Sequence, residues 1–113
     1  MGLPTAGEVV SVPFPFSDLS QSKVRPAVCL ADAGRGDAIF CQVTSQPYGD
    51  PLAIPIESTD FASGGLRITS YVRPGKLFTA DAKLIVGNSG RLSAAMLERI
   101  RTTVINLLRV GHS

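Results

Sequence analysis

With 113 residues and 11.9 kDa, the chain is long enough for one hydrophobic core and too short for two, which sets the expectation of a single domain over residues 1–113. An apolar fraction of 44% against 18% charged residues excludes the low-hydrophobicity, high-charge regime of disordered chains. Eleven Lys and Arg against nine Asp and Glu leave a formal charge of only +2, so net charge alone does not mark a nucleic-acid binder.

Taken in chain order, Val9, Val10 and Val12 form a β-branched run stopped by Pro13 and Pro15, and Ala27 to Ala31 is a second run opened by Pro26. Ala38 to Val43 and Leu52 to Ile56 repeat the strand pattern around a turn marked by Pro47, Gly49 and Pro51, with Pro55 pointing to an edge strand. Two further runs, Leu66 to Val72 and Lys76 to Thr79, are separated by Arg73-Pro74-Gly75. A shorter piece, Lys83 to Val86, precedes Gly87-Asn88-Ser89-Gly90. Such short, evenly spaced strands predict a compact antiparallel barrel. Ser93 then reads as a helix N-cap, flanked by Leu92 and Leu97 in the positions of a hydrophobic staple. Leu97, Ile100, Val104, Leu107 and Leu108 set one apolar stripe against the barrel, Glu98, Arg99, Arg101 and Asn106 stay outside, and Gly111 ends the helix.

Eight of the eleven cations are arginine, whose planar fork grips phosphate. Arg99, Arg101 and Arg109 read as solvated helix charges, which leaves those near strand ends. Cys29 and Cys41 sit in apolar runs with no CxxC spacing, and the one histidine, His112, is at the tail. Neither a zinc site nor a disulfide scaffold is indicated, and buried free thiols are expected. No window approaches the roughly 20 apolar residues of a membrane span, and no signal sequence opens the chain, so the expected setting is the cytoplasm.

Three segments carry chemistry. A long polar loop ends in Arg25-Pro26, where the proline holds the arginine in extended backbone and fixes the exit of its guanidinium; a loop-closing ion pair with Asp18 is the plain alternative. Val43-Thr44-Ser45-Gln46 ends a strand in two hydroxyls and an amide, which bind a phosphate oxygen or a ribose hydroxyl when a guanidinium is near, and otherwise only cap a turn. Ser70-Tyr71-Val72-Arg73-Pro74-Gly75-Lys76 repeats the Arg-Pro step with a lysine three residues on, a basic lip or a solvated turn.

These segments in sequence, from Pro13-Phe14-Pro15-Phe16-Ser17-Asp18 through Arg25-Pro26-Ala27-Val28, Val43-Thr44-Ser45, Ser70-Tyr71-Val72-Arg73 and Lys76-Leu77-Phe78-Thr79 to Gly90-Arg91-Leu92-Ser93, resemble the MazF/PemK (Kid) toxins over nearly the whole chain. The resemblance implies a mainly β fold, a small SH3-like antiparallel barrel with a long C-terminal helix. It also implies a homodimer, a cognate antitoxin whose flexible tail occupies the RNA groove, and an endoribonuclease that cuts single-stranded RNA with no metal or other cofactor. In that family the ribose 2′-hydroxyl attacks the adjacent phosphate, leaving a 2′,3′-cyclic phosphate and a 5′-hydroxyl.

Carried over position by position, the catalytic arginine falls on Arg25, the catalytic threonine on Thr44 and a second arginine on Arg73. A guanidinium stays charged at physiological pH, so Arg25 suits charge stabilisation rather than proton abstraction. The polar residues beside these positions, Ser17, Asp18, Gln21, Lys23, Ser45, Gln46, Ser70 and Lys76, are the expected RNA contacts.

The chain departs from the family at Gly75, where many relatives carry an acid, and in lacking a histidine in the first loop. Asp18 and Asp81 are the candidate substitutes for the missing base. The departure keeps open a barrel that binds RNA or antitoxin without cutting. A CcdB-like topoisomerase poison would use a tryptophan near the carboxyl terminus, and this chain has none. A purely structural barrel would leave the Arg-Pro and Thr-Ser steps unexplained.

Overall fold

The structure, a computed structural model, describes residues 3–15 and 22–112. Among the described residues are seven strands and one α-helix: β1 Glu8–Pro15, β2 Ser22–Gly34, β3 Asp37–Thr44, β4 Ile54–Ile56, β5 Phe61–Gly64, β6 Ser70–Asp81, β7 Gly87–Leu92 and α1 Ala94–Val110. They form one curled antiparallel sheet, a half-barrel in the order β4-β6-β3-β2-β1-β7-β5, with the helix laid against it. This is the mainly β barrel architecture with a C-terminal helix that the sequence predicts.

The strand period of two divides the apolar residues between two faces. Val9, Val28, Cys41, Val43 and Val72 meet Ile54, Ile56, Leu92 and the helix residues Met96, Ile100 and Val104 in the main core. Their strand neighbours Val10, Val12, Ala27, Cys29, Ala38 and Phe40 make a second cluster on the opposite face. There Phe78 packs edge-on to Phe14 at 5.0 Å and stacks on Phe40 at 5.4 Å. Both cysteines are free and buried, and desolvation pushes the Cys41 thiol up to about 12 and raises Cys29 as well. Burial thus disfavours the thiolate form at both positions.

The helix begins as the sequence indicates: the Ser93 hydroxyl accepts the Met96 N–H at 3.2 Å, and Leu92 and Leu97 join one cluster. Gly111 closes it in left-handed backbone, its N–H donating to the Leu107 carbonyl. Two expectations fail there. Met96 takes the inner position that the stripe assigned further along, while Leu108 is 70% exposed. Arg101, placed in solvent by the pattern, bends back to donate to the Leu30 carbonyl at 2.8 Å.

Several strand boundaries also differ from expectation, each for a local reason. Pro13 and Pro15 do not stop β1, because beyond Ser11 that strand is paired only with β2 and its other side is unpaired by β7, a setting that tolerates proline. Arg73-Pro74-Gly75 does not separate two strands. β6 runs through it with a bulge, since Gln42 pairs with Arg73 while its neighbour Cys41 pairs with Leu77. Residues 65–69 form a loop where a strand was predicted, and β4 covers only Ile54–Ile56, as an edge strand. Lys83 to Val86 opens with a short 3-10 turn rather than a strand.

The glycine-rich stretch Gly87-Asn88-Ser89-Gly90, which carried no strand pattern, lies in β7 and pairs with β5, which hydrophobic patterning did not reveal. The pairing depends on missing side chains: a Cβ on Gly64 would run into the Ser89 carbonyl, and one on Gly90 into the Ser63 carbonyl. Both residues also hold positive φ, +68° and +146°. Gly90→Ala is therefore expected to cost about 2–3 kcal/mol, read as a fall in the urea midpoint against Gly87→Ala, where nothing lies closer than 3.7 Å.

Candidate active site

Antiparallel register brings the three carried-over residues onto one face. Arg25 in β2 pairs with Val12 of β1, whose side chain belongs to the second cluster. Ala27, two residues on, pairs with Gln42 of β3. Continuing that register by two residues sets Arg25 beside Thr44, and Thr44 pairs in turn with Tyr71 of β6. Gln42 faces Arg73, so Arg73 stands diagonal to Thr44. Directly opposite side chains in such a sheet have Cβ atoms about 5 Å apart and diagonal ones about 7–8 Å, a spacing that one phosphate group can bridge. Arg25 lies inside β2, which begins at Ser22 and so takes in the end of the segment read as a loop, and Thr44 is the last residue of β3.

At this end of the sheet a cleft of about 180 Å³ is lined by Arg25, Pro26, Val43, Thr44 and Ser45 on one side and by Leu66, Arg67, Ile68 and Ser70 on the other. Leu66, Arg67 and Ile68 also wall a neighbouring hollow of about 340 Å³ with Glu57, Thr59 and Phe61. The Thr44 hydroxyl accepts the Gln46 N–H at 3.1 Å and donates to the Gln46 carbonyl at 3.2 Å, a small turn that locks its position. One lone pair stays open, and a rotation of the O–H frees the proton.

Arg73 is held from two sides. Its Nε donates to the Asp50 carboxylate at 3.0 Å, with the two side chains 19% and 13% exposed, and its guanidinium carbon lies 5.8 Å from the centre of the Tyr48 ring. Burial raises the Asp50 carboxyl, but hydrogen bonds from the Leu52 N–H and from Arg73, with the charges of Arg73 and His112, outweigh it and hold the group below its ordinary value. Such a carboxylate is a poor proton acceptor and a good anchor for a cation.

The remaining predicted residues divide. Ser45 and Gln46 are exposed beside Thr44, Lys23 is exposed two residues before Arg25, and Lys76 is exposed in the β6 bulge. Ser70 is only 4% exposed, and its hydroxyl donates to the Ile68 carbonyl at 3.0 Å, so it shapes the cleft wall. Ser17, Asp18 and Gln21 lie outside the described residues, as does the proposed Asp18 ion pair. Asp81 is displaced as a base: it pairs with Asp37 at the opposite end of β3 from Thr44 and caps the Lys83 N–H. Seven residues of strand separate those ends, about 23 Å. Among the described residues no three His, Cys, Asp or Glu are grouped to hold a metal ion. Gln42, Tyr48, Asp50 and Arg67 were missed, because their relevance arises from pairing across strands and loops rather than from spacing.

The sequence pattern of the PemK-like, MazF-like toxins of type II toxin–antitoxin systems matches residues 5–108. The chain belongs to this family. Its fold is shared with MazF in a MazE–MazF crystal structure from Deinococcus radiodurans, at TM-score 0.74 and 23% identity over 97% of this chain and 99% of that one. An endoribonuclease in complex with its cognate antitoxin from a mycobacterial species gives TM-score 0.71 and 18% identity, covering 97% and 99%. Mycobacterium tuberculosis toxin MazF-mt6 gives TM-score 0.63 and 17% identity, covering 88% and 95%. No curated protein sequence matches the chain. In this PemK/MazF chain no helix is long and apolar enough to cross a membrane, among the described residues.

Proposed function

We propose that this toxin is an endoribonuclease that cuts single-stranded RNA without a metal ion, acts in the cytoplasm to inhibit growth, and is neutralised by a cognate antitoxin. The observation that carries the reading is the register that sets Arg25, Thr44 and Arg73 on one face, with Arg25 and Thr44 lining a cleft. In the reaction the ribose 2′-oxygen bonds to phosphorus, the bond from phosphorus to the 5′-oxygen breaks, and a proton passes from the first oxygen to the second. Arg25 stabilises the charge on the phosphorane oxygens, Thr44 binds a phosphate oxygen or the ribose hydroxyl, and Arg73, anchored by Asp50, supplies a second positive charge. Ser45, Gln46, Lys23 and Lys76 contribute backbone contacts along the strand.

Incubation of varied single-stranded RNAs with the purified chain in EDTA tests the reading. The expected result is cleavage to fragments whose 5′-hydroxyls a polynucleotide kinase can phosphorylate, and RNA left intact across all sequences would favour the binding-only alternative. We also read the toxin as a homodimer. Exposed Ile105 and Leu108 continue into an apolar groove of about 300 Å³ with Leu30, Ile39 and Leu77, a surface that a second copy would cover. A sedimenting monomer at micromolar concentration would contradict this part.

A further inference from the structure

The turn joining β3 to β4 carries an aromatic residue in an expensive place. The Asp50 N–H donates to the Pro47 carbonyl at 2.9 Å, and the two residues between them have φ of +55° at Tyr48 and +71° at Gly49. This is the combination of a type I′ turn, whose first central position favours Asn, Asp or Gly because a Cβ is strained there. Burial does not compensate, since Tyr48 is 74% exposed. The ring instead lies over the Arg73 guanidinium, which Asp50, the last residue of the same turn, holds in place. A strained and exposed side chain fixed beside candidate catalytic groups points to a role in binding.

We propose that Tyr48 is the stacking platform for a nucleobase of single-stranded RNA adjoining the cleaved phosphate, with Arg73 supporting the ring from behind. This rests on the ribonuclease reading above. Single-stranded RNA is recognised by unstacked bases laid on aromatic rings and guanidinium planes, and Tyr48 with Arg73 offers both in one stack. The platform is sequence-tolerant, because every base has a π face. It orients the strand while Arg25 and Thr44 address the phosphate.

The test uses the full chain and a single-stranded RNA oligonucleotide, cleavable for kinetics and 2′-O-methylated for binding. Tyr48→Ala should weaken binding and raise KM by about 5- to 100-fold, with kcat changed far less, while Tyr48→Phe stays near wild type. Tyr48→Asn suits the turn better, so its Tm should hold or rise while binding falls as in Tyr48→Ala, a split that a merely structural tyrosine would not produce. The chain contains no tryptophan, so Tyr48→Trp installs a sole indole whose emission should be quenched by the methylated RNA. A wild-type chain that cuts RNA while Tyr48→Ala binds within about twofold of it, or an indole blind to RNA, overturns the stacking role alone. A wild-type chain that neither binds nor cuts overturns the ribonuclease reading and this one with it.

Discussion

Arg25→Ala is expected to lower kcat for RNA cleavage by about 10²- to 10³-fold, the cost of removing one preorganised donor from a developing oxyanion. The reason lies in placement. Arg25 sits between Val12 and, by extension of register, Thr44, so its side chain leaves the sheet on the same face as the Thr44 hydroxyl. The loss should appear in kcat as well as in kcat/KM, because the extra charge exists only in the transition state. Arg25→Lys keeps the charge without the planar fork and should recover only part of the rate. Circular dichroism of both variants should match wild type, since the second cluster beneath them is built from Val12, Ala27 and Phe40 rather than from the guanidinium.

Asp50→Asn is expected to reduce kcat by about 10²-fold, although Asp50 itself need not touch RNA. It anchors Arg73 through Nε, and a small displacement of a positioned group costs about that much. Arg73→Ala should be at least as damaging, and the double variant should lose little beyond the worse single, because the pair acts as one unit. Asp50 also gives the protein a signed pH dependence. Its folded value lies below the ordinary 3.8, so its contribution to stability is complete above that value and is lost as pH falls through and below it. Acid unfolding should therefore begin at higher pH in Asp50→Asn than in wild type, with the two curves separated by a constant offset near neutrality. Curves that coincide at neutral pH would contradict the anchoring role.

The sequence was informative where one residue type is tied to one backbone role. Ser93, Leu92, Leu97 and Gly111 identify the helix and both its ends, because caps and staples are local. Val9 to Val12, Ala27 to Ala31 and Ala38 to Val43 read as strands because alternation and β-branching are local too. Patterning failed where pairing partners decide. Gly87 to Gly90 has turn composition, yet it is a strand because Gly64 and Gly90 let two backbones approach. Arg73-Pro74-Gly75 also has turn composition, and the continuing β6 ladder absorbs it as a bulge.

The site divides in the same way. Arg25, Thr44 and Arg73 come from family resemblance and fall on one face. Asp18 and Asp81 were weighed as the missing base, whereas the carboxylate that anchors Arg73, Asp50, lies 23 residues before it in sequence and carries no local signal. Only the fold makes that contact adjacent.

We read the ribose 2′-hydroxyl as the nucleophile, held with its phosphate by Arg25 and Thr44. One measurement addresses it directly: cleavage in EDTA of an RNA that the toxin cuts at a single position, compared with the same RNA carrying one 2′-deoxynucleotide immediately 5′ to the cut. The account requires cleavage of the first to a 2′,3′-cyclic phosphate and no cleavage of the second at that bond. Equal cutting of both would contradict it.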